Sequence, residues 1–148
     1  MRSHLSKTGT VSWASLERMP ISQRITSLLV YEDIEAGHDF LVSAFGLQAG
    51  RIDRDDRGEV VHGEVRTESE VIWLHRVSKE HRLVSPRSQD ADSGGVCVSV
   101  DDVDAHYERA RAAGAQIDGP PVDQPYGRRE YGARDPEGHR WWFGTALS

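Results

Sequence analysis

The chain repeats itself, and this repeat constrains the fold more than any other feature of the 148-residue sequence. The segment Glu32–Ala36 closely matches Asp101–Ala105, which lies 69 residues further along. One residue is then lost, and the matches continue at a spacing of 68 residues, pairing His38 with His106, Gly46 with Gly114, Arg66 with Arg134 and Trp73 with Trp141. Several matches at nearly one spacing indicate two tandem copies of one supersecondary unit.

Each copy has the same local pattern. Residues 96–100 alternate valine with small side chains, which predicts a strand with one apolar face. Asp102 then begins a predicted helix that ends at Gly114. The rest of each copy is typical of short strands, and residues 135–138 predict a turn between the last two. The unit is therefore a strand, a helix and then two or three strands.

The repeat divides the chain into four parts. Residues 21–77 are predicted to form the first module, 78–93 a linker or lid loop, and 94–146 the second module. Residues 1–20 are expected to be an N-terminal arm, because their first 18 residues are polar and aperiodic; an alternative start at Met19 stays open. The predicted fold class is α+β, with two tandem βαβββ modules forming a curved mixed sheet around a cleft.

Composition and charge narrow the possible partners. The net charge is −6 and the sequence has no block of Lys or Arg, so nucleic acid is not an expected partner. Cys97 is the only cysteine, which excludes an internal disulfide and a thiolate zinc site and favours a reducing cytoplasm. No apolar run approaches the roughly 20 residues of a membrane span, so no membrane partner is expected.

Two motifs in the second copy resemble the vicinal oxygen chelate superfamily, which includes glyoxalase I, extradiol dioxygenases and bleomycin-resistance proteins. One motif runs from Val100 to Ala115 and opens a helix. The other runs from Tyr126 to His139 and follows the closing strand–turn–strand pattern of that family. With the repeat, the resemblance covers about residues 21–146. It implies the doubled βαβββ fold and a homodimer, with ligand sites shared between subunits.

The resemblance also implies four metal-ligand positions. They are Thr26 and Gly95 on the first strands of the two modules, and Leu74 and Trp142 on the last strands. None of these residues supplies the imidazole or carboxylate group that a divalent metal requires. The chain is therefore similar to the metal-free bleomycin-resistance branch, and no metal or other cofactor is expected.

Strand alternation predicts the lining of the cleft. The predicted ligand-binding residues are Thr26, Leu28, His62, Leu74, Cys97, Ser99, Glu130, Arg140 and Trp142. The Trp142 indole would either stack on a flat ligand or plug the cavity. Trp73, Trp141 and Phe143 are expected to face the helices, and His139, in the turn, is expected at the surface.

His62 and Glu130 are the candidates for catalysis. They stand at equivalent points of the two modules, 68 residues apart, and an imidazole with a carboxylate can transfer protons. The alternative is that they make an ordinary hydrogen bond or are solvated.

Three functional hypotheses follow from these observations. The first is a metal-free small-molecule-binding protein of the glyoxalase/bleomycin-resistance type, which binds a planar or aromatic ligand and could sequester an antibiotic. The second is a glyoxalase-like lyase, isomerase or dioxygenase that acts on a small carbonyl or aromatic substrate. The third is a dimeric structural or regulatory module with a collapsed cleft.

Overall fold

The computed structural model describes residues 23–148, so the predicted arm at residues 1–20 lies outside the described residues. The first module contains β1 (Leu28–Tyr31), α1 (Ile34–Ser43), β2 (Gln48–Arg54), β3 (Val60–Arg66) and β4 (Val71–Arg76). These strands form the N-terminal sheet, in the order β1-β4-β3-β2. β1 runs parallel to β4, and the other neighbours are antiparallel.

The second module repeats this arrangement. It contains β5 (Gly95–Ser99), α3 (Val103–Ala112), β6 (Gln116–Ile117), β7 (Val122–Gln124), β8 (Arg128–Arg134) and β9 (Arg140–Ala146). The C-terminal sheet has the order β5-β9-β8-β6, and β7 also pairs with β8. β6 and β7 together occupy the place that β2 has in the first module. They are separate strands because prolines 120 and 121 between them have no N–H to donate. The α+β prediction is confirmed, with two mixed sheets in the described residues.

The two long helices begin and end where the sequence indicates. The side chains of Asp33 and Asp102 each accept a hydrogen bond of 3.0 Å from a backbone N–H in the first turn, as N-cap residues do. Gly46 and Gly114 follow the helices with φ of 70° and 80°, a conformation that glycine adopts without strain. Between the modules, the segment 78–93 contains the short helix α2 (Pro86–Gln89).

The spacing of the repeat changes at the last strand, and this reverses the predicted faces of Leu74 and Trp73. Arg66 pairs with Val71 across a turn of four residues, whereas Arg134 pairs with Arg140 across a turn of five. The extra residue returns the spacing to 69, so the counterpart of Trp142 is residue 73 and not residue 74. A Cβ on Gly63 would contact both Leu74 and a residue of α1, so Leu74 faces the helix.

The helix-facing sides of both sheets share one apolar core. Phe45, just beyond α1, packs edge-on against Phe143 with ring centroids 4.8 Å apart, and its ring lies 5.7 Å from that of Trp141. Trp141 and Phe143 are fully buried, as predicted. Contacts between aromatic rings of different modules make the two modules one packing unit.

The second module also holds both ends of α1. The Glu137 carboxylate accepts the backbone N–H groups of Glu32 and Asp33, at 2.7 and 3.0 Å. At the other end, the Arg109 guanidinium donates to the carbonyls of residues 42 and 43, both at 3.2 Å. A negative charge at the N-terminus of a helix and a positive charge at its C-terminus both complement the helix dipole. The modules are therefore joined by polar contacts as well as by the core.

A buried carboxylate, Asp135, organises the five-residue turn. It accepts hydrogen bonds from the Tyr31 hydroxyl at 2.6 Å and from the Trp141 indole at 3.2 Å. His139, predicted at the surface, is instead 3% exposed and places its Nδ1 3.0 Å from Asp135. The turn is buried because Glu137 in it reaches α1 of the first module, a contact between modules that the local sequence does not reveal.

His106 on α3 bonds to both modules. Its Nε2 lies 2.7 Å from the carbonyl oxygen of Phe45, and its Nδ1 lies 2.7 Å from the Tyr131 hydroxyl. A carbonyl oxygen only accepts, so Nε2 carries the proton and Nδ1 accepts from Tyr131. Burial lowers the pKa of His106, because the charged imidazolium would lose its hydration.

We expect His106 to make the protein less stable in mild acid. Its folded-state pKa lies below the ordinary value of 6.5, so the unfolded chain binds the proton more readily. The contribution of His106 to the free energy of unfolding is therefore fully present above about pH 6.5, and it is lost as the pH falls toward the folded-state pKa. His106→Ala should cost about 1–3 kcal/mol at pH 7, by leaving two polar groups unpaired, and should flatten the pH dependence.

The measurement is urea unfolding at pH 7 and at pH 5. His81→Ala is the matched control, because His81 is exposed. If His106→Ala lost as much stability between these two pH values as the unchanged protein, His106 would not be the responsible group.

Candidate functional site

The sheet face opposite α3 is not covered by any described element, and we call it the C-terminal open face. Cross-strand register places on it Gly95, Cys97, Ser99, Arg128, Glu130, Gly132, Arg140, Trp142 and Gly144. Three of these positions are glycines, which leave room for large neighbouring side chains to lie against the backbone. This face contains most of the predicted ligand-binding residues.

The Trp142 indole lies flat across three strands of this face. A Cβ on Gly95 would collide with the benzene end of the ring, and a Cβ on Gly132 would lie 3.2 Å from Nε1 at its other end. Both ends of the indole therefore touch the sheet, one over β5 and the other over β8. Trp142 is half-buried, so its outward side is partly open to solvent. The ring forms an aromatic platform.

Two arginines extend over the same face. The Arg140 guanidinium lies 5.1 Å from the centre of the Trp142 ring and binds Asp118 through two nitrogens, at 3.1 and 2.5 Å. This ion pair lowers the pKa of Asp118, chiefly through the hydrogen bond from Arg140. Arg128 crosses β9 above Gly144 and donates to the Ser99 hydroxyl at 3.1 Å.

Cys97 lies between these groups. It is exposed and is the register partner of Trp142. Nearby, the Tyr126 hydroxyl donates to Glu130, which also pairs with Arg128 at 3.3 Å. The bond to Glu130 raises the pKa of Tyr126, whose ring is 66% exposed. The face therefore offers two accessible aromatic rings, a thiol and two arginines.

The N-terminal sheet has a corresponding face opposite α1, which we call the N-terminal open face. It carries Leu28, Val30, Arg51, Asp53, His62, Glu64, Trp73 and His75. The rings of Trp73 and His62 meet edge to face with centroids 5.9 Å apart, and Trp73 is half-buried. The expectation that Trp73 packs in the core was therefore wrong, whereas Leu28, 39% exposed, lies on an open face as predicted.

Leu74 does not belong to the site. It is completely buried and packs against Gly63 and Ile34 under α1. The prediction assumed that the spacing of 68 residues continues through the last strand, and the longer second turn invalidates that assumption. Thr26 precedes β1 by two residues and is half-buried.

The predicted pair of His62 and Glu130 is not formed within the described part of the chain. The two residues lie on different sheets. His62 is 2% exposed and places its Nε2 3.3 Å from Glu64, two residues further along β3. Glu130 bonds to Tyr126 instead. Equivalent positions in a repeat are close only if the two sheets face each other, which the sequence does not establish.

The residues at the implied metal positions do not fit a metal ion. With the corrected spacing these are Thr26, Trp73, Gly95 and Trp142. The Trp142 indole fills the space above Gly95, and no group of three or more His, Cys, Asp or Glu side chains within residues 23–148 is arranged to hold a metal. No step of the function proposed below involves a metal.

A hollow of about 720 Å³ lies between the modules, beside the open edge of β5. Its apolar lining includes Phe45, Ile72 and Val98, and residues 67–70 form one wall. Cys97 and Ser99 belong both to this hollow and to the C-terminal open face. The volume is within the range of small-molecule sites.

Several residues of these faces were not among the predicted set. They are Asp118, Tyr126, Arg128 and Gly132. The available signal for Trp73 was the unequal length of the two turns. The positions of the other residues depend on side chains that reach from one strand to the next, and the alternation of side chains along a single strand does not predict such contacts.

No helix among residues 23–148 combines the length and apolar character needed to cross a bilayer.

Comparison with protein families identifies the same group as the motifs. A family model described as the Glyoxalase/Bleomycin resistance protein/Dioxygenase superfamily matches residues 21–143. The uncharacterized protein Mb0911c of Mycobacterium bovis is 31% identical over 123 residues, which cover 80% of this chain and 80% of that protein.

Solved structures give the same result. TioX from Micromonospora sp. ML1 is 32% identical, with a TM-score of 0.67 over 84% of this chain and 99% of that chain. A glyoxalase/bleomycin resistance protein/dioxygenase from Nocardioides has a TM-score of 0.63 at 20% identity, over 92% of this chain and 91% of that chain, and this shows the fold alone.

Proposed function

Because this chain belongs to the Glyoxalase/Bleomycin resistance protein/Dioxygenase superfamily, we propose that it is a small-molecule-binding protein whose ligand stacks on Trp142. The observation that carries the proposal is the flat indole supported by Gly95 and Gly132. A ring held flat with one side partly open matches a planar ligand at little cost in side-chain entropy. Binding of this kind would sequester a planar or aromatic compound, such as an antibiotic, by mass action.

The charged groups of the open face indicate how a ligand would be oriented. Arg140 and Arg128 are each paired with a carboxylate but keep part of their surface exposed. A polar substituent on the ligand can bond to either guanidinium while the flat ring lies on Trp142. The exposed Tyr126 ring supplies a second apolar contact.

We further propose a cytoplasmic homodimer. In this chain both open faces lack a covering element among the described residues, and they carry exposed apolar side chains, including Leu28, Val122 and Tyr126. Pairing with a second copy would cover these apolar side chains and enclose the Trp142 platform in a ligand site shared between the subunits. Analytical ultracentrifugation should give twice the 16.5 kDa mass of the chain, and a single species at 16.5 kDa would contradict a dimer.

The test of the binding site uses two planar probes of opposite charge, 9-anthracenecarboxylate and proflavine, with cyclohexanecarboxylate as a non-planar control. We expect at least one planar probe to bind, and Trp142→Ala to weaken its affinity about tenfold or more, because stacking and ring burial together exceed about 1.4 kcal/mol. Calorimetry measures the affinity directly.

A second variant removes the platform and keeps the indole. Gly95→Val should lift the Trp142 ring from the sheet and lower the affinity for the planar probe about as much as Trp142→Ala does. Gly94→Ala is the matched control, since a Cβ on Gly94 would meet no atom within 4 Å, and it should bind normally. If neither planar probe bound, or if Trp142→Ala bound them as well as the unchanged protein, the proposal would fail.

A further inference from the structure

The hollow of about 720 Å³ between the modules has an apolar lining that the proposed function does not use. Phe45 and Ile72, both nearly buried, form part of this lining. Val96 and Val98 also line the hollow and are only half-buried, although they pack against the core. Half-buried valines on the core side of a strand leave apolar surface in contact with water, and a ligand with an apolar group would cover it.

β5 borders this hollow with an unpaired edge. Among the described strands β5 pairs with β9 alone. The N–H of Val100, just beyond β5, donates to the carbonyl of Gly144 on β9. Because successive residues of a strand direct their backbone groups to opposite sides, Cys97 and Ser99 direct theirs away from β9, and both residues line the hollow. Their carbonyl oxygens can therefore accept hydrogen bonds from a ligand.

The charged side chains of the hollow are mainly carboxylates. Glu68, Glu70 and Asp101 line it, against one guanidinium among the described lining residues, that of Arg66. Arg66 already donates to a carboxylate of the N-terminal open face at 3.2 Å. His106 also lines the hollow, but its lowered pKa keeps the imidazole neutral at pH 7. Glu68 and Asp101 have no hydrogen-bond or ion-pair partner among residues 23–148, so the hollow favours a positive charge.

The repeat places a related hollow at the equivalent point of the second module. Its lining includes residues 134–138, whose counterparts, residues 66–70, line the hollow between the modules. The linker contributes Pro86 and Arg87 to this related hollow, which measures about 520 Å³. One of the two hollows therefore receives an apolar ring and a guanidinium from the chain itself.

The contacts of Arg87 show which chemical group suits such a hollow. Its guanidinium lies 3.5 Å from the Glu32 carboxylate and donates to the carbonyl of Pro136 at 3.3 Å. Glu32 is the counterpart of Asp101 in the repeat. A planar cation with several N–H groups can donate to a carboxylate and to a backbone carbonyl at the same time. Asp101 and the open carbonyls of β5 offer the same combination of acceptors.

We propose that the hollow between the modules is a second binding site, specific for a small cation that joins a guanidinium or amidinium group to an apolar body. The cationic group pairs with the carboxylates of Asp101 and Glu68 and donates to the open carbonyls of β5. The apolar body covers Val96 and Val98. This site is separate from the Trp142 platform and does not depend on it.

The probe for this site is 4-tert-butylbenzamidine, and 4-tert-butylbenzamide is the matched neutral compound of nearly the same shape. We expect calorimetry at low salt to show that the amidine binds about tenfold or more tightly, because the neutral amide cannot pair with the carboxylates. About 0.5 M sodium chloride should reduce this difference by screening the charges. Equal affinity for the two compounds, or no binding of the amidine, would overturn the proposal.

Variants assign the effect to the two unpaired carboxylates. Asp101→Asn and Glu68→Gln change exposed side chains, so the fold should be preserved. Each should weaken binding of the amidine about threefold, and neither should change the affinity for the amide. Asp56→Asn is the matched control, because Asp56 is exposed and does not line the hollow, and it should bind the amidine normally. If the double variant bound the amidine as tightly as the unchanged protein, the assignment would be wrong.

Nuclear magnetic resonance locates the probe on the unchanged protein. The amide signals of Ser99 and of residues 67–70 should shift when the amidine is added, and Trp142→Ala should bind the amidine normally even if the platform binds nothing. Shifts confined to the Trp142 indole would place the probe on the C-terminal open face. Shifts that extend to residues 2–20 would assign the hollow to the N-terminal segment of the chain, and release of monomers would assign it to a second copy. Each of these three outcomes would overturn the proposal.

Discussion

Replacing Glu137 with alanine is expected to lower the free energy of unfolding by about 2–4 kcal/mol, because its carboxylate joins three parts of the chain. It accepts the N–H groups of Glu32 and Asp33 at the start of α1, and the Ser85 hydroxyl of the linker at 2.6 Å. Ser85 is completely buried, so its hydroxyl would be left without an acceptor. The N-terminus of α1 would also lose its compensating charge.

Urea unfolding followed by circular dichroism measures this effect. Glu108→Ala is the matched control: Glu108 pairs with Arg111 on the surface of α3 with 60% of its side chain exposed, and its loss should change stability by less than about 0.5 kcal/mol. Glu137→Gln keeps an acceptor oxygen and should fall between the two. Equal stability of Glu137→Ala and Glu108→Ala would mean that the turn does not hold α1.

Replacing Asp135 with asparagine is expected to cost about 3–5 kcal/mol and to change the acid sensitivity of the protein. The Tyr31 hydroxyl, the Trp141 indole and the His139 imidazole all point donors at this carboxylate. An asparagine amide presents two donors of its own and only one acceptor oxygen. At least one buried donor would therefore face another donor.

The acid dependence follows from the direction of the pKa shift. Burial alone would raise the pKa of Asp135, but the bonds from His139, Tyr31 and Trp141 outweigh it and lower the pKa below the ordinary value of 3.8. The unfolded chain then takes up the proton more readily than the folded protein. The contribution of Asp135 to stability is therefore present above about pH 4 and is lost as the pH falls through the folded-state pKa.

Unfolding experiments at pH 7, 4 and 3 check this prediction. The unchanged protein should lose more stability below pH 4 than Asp135→Asn does, since the variant has no carboxyl group to protonate. Asp123→Asn, with a side chain 61% exposed, is the control and should behave like the unchanged protein. A parallel loss of stability in Asp135→Asn and the unchanged protein would exclude Asp135 as the titrating group.

Sequence alone determined the features that depend on neighbouring residues. Asp33 and Asp102 cap their helices, because a short carboxylate can reach the backbone N–H groups of the first turn. Gly46 and Gly114 mark where the helices end, because a left-handed backbone favours glycine. The repeat then indicates that both modules have the same order of elements. These conclusions need only local geometry and one comparison of the chain with itself.

Tertiary structure alone decided which residues meet. One additional residue in the turn at residues 135–139 shifts the alignment of the two modules by one position. Because side chains alternate between the two faces of a strand, Leu74 then belongs to the helix-facing side and Trp73 to the open face. The platform at Trp142 exists because Gly95 and Gly132 come from strands on either side of it. The pairing of His62 with Glu64 depends on Arg51 and Arg66, which hold the carboxylate in place. Such contacts are set by packing across strands and modules, and their energies do not depend on how far apart the residues are in sequence.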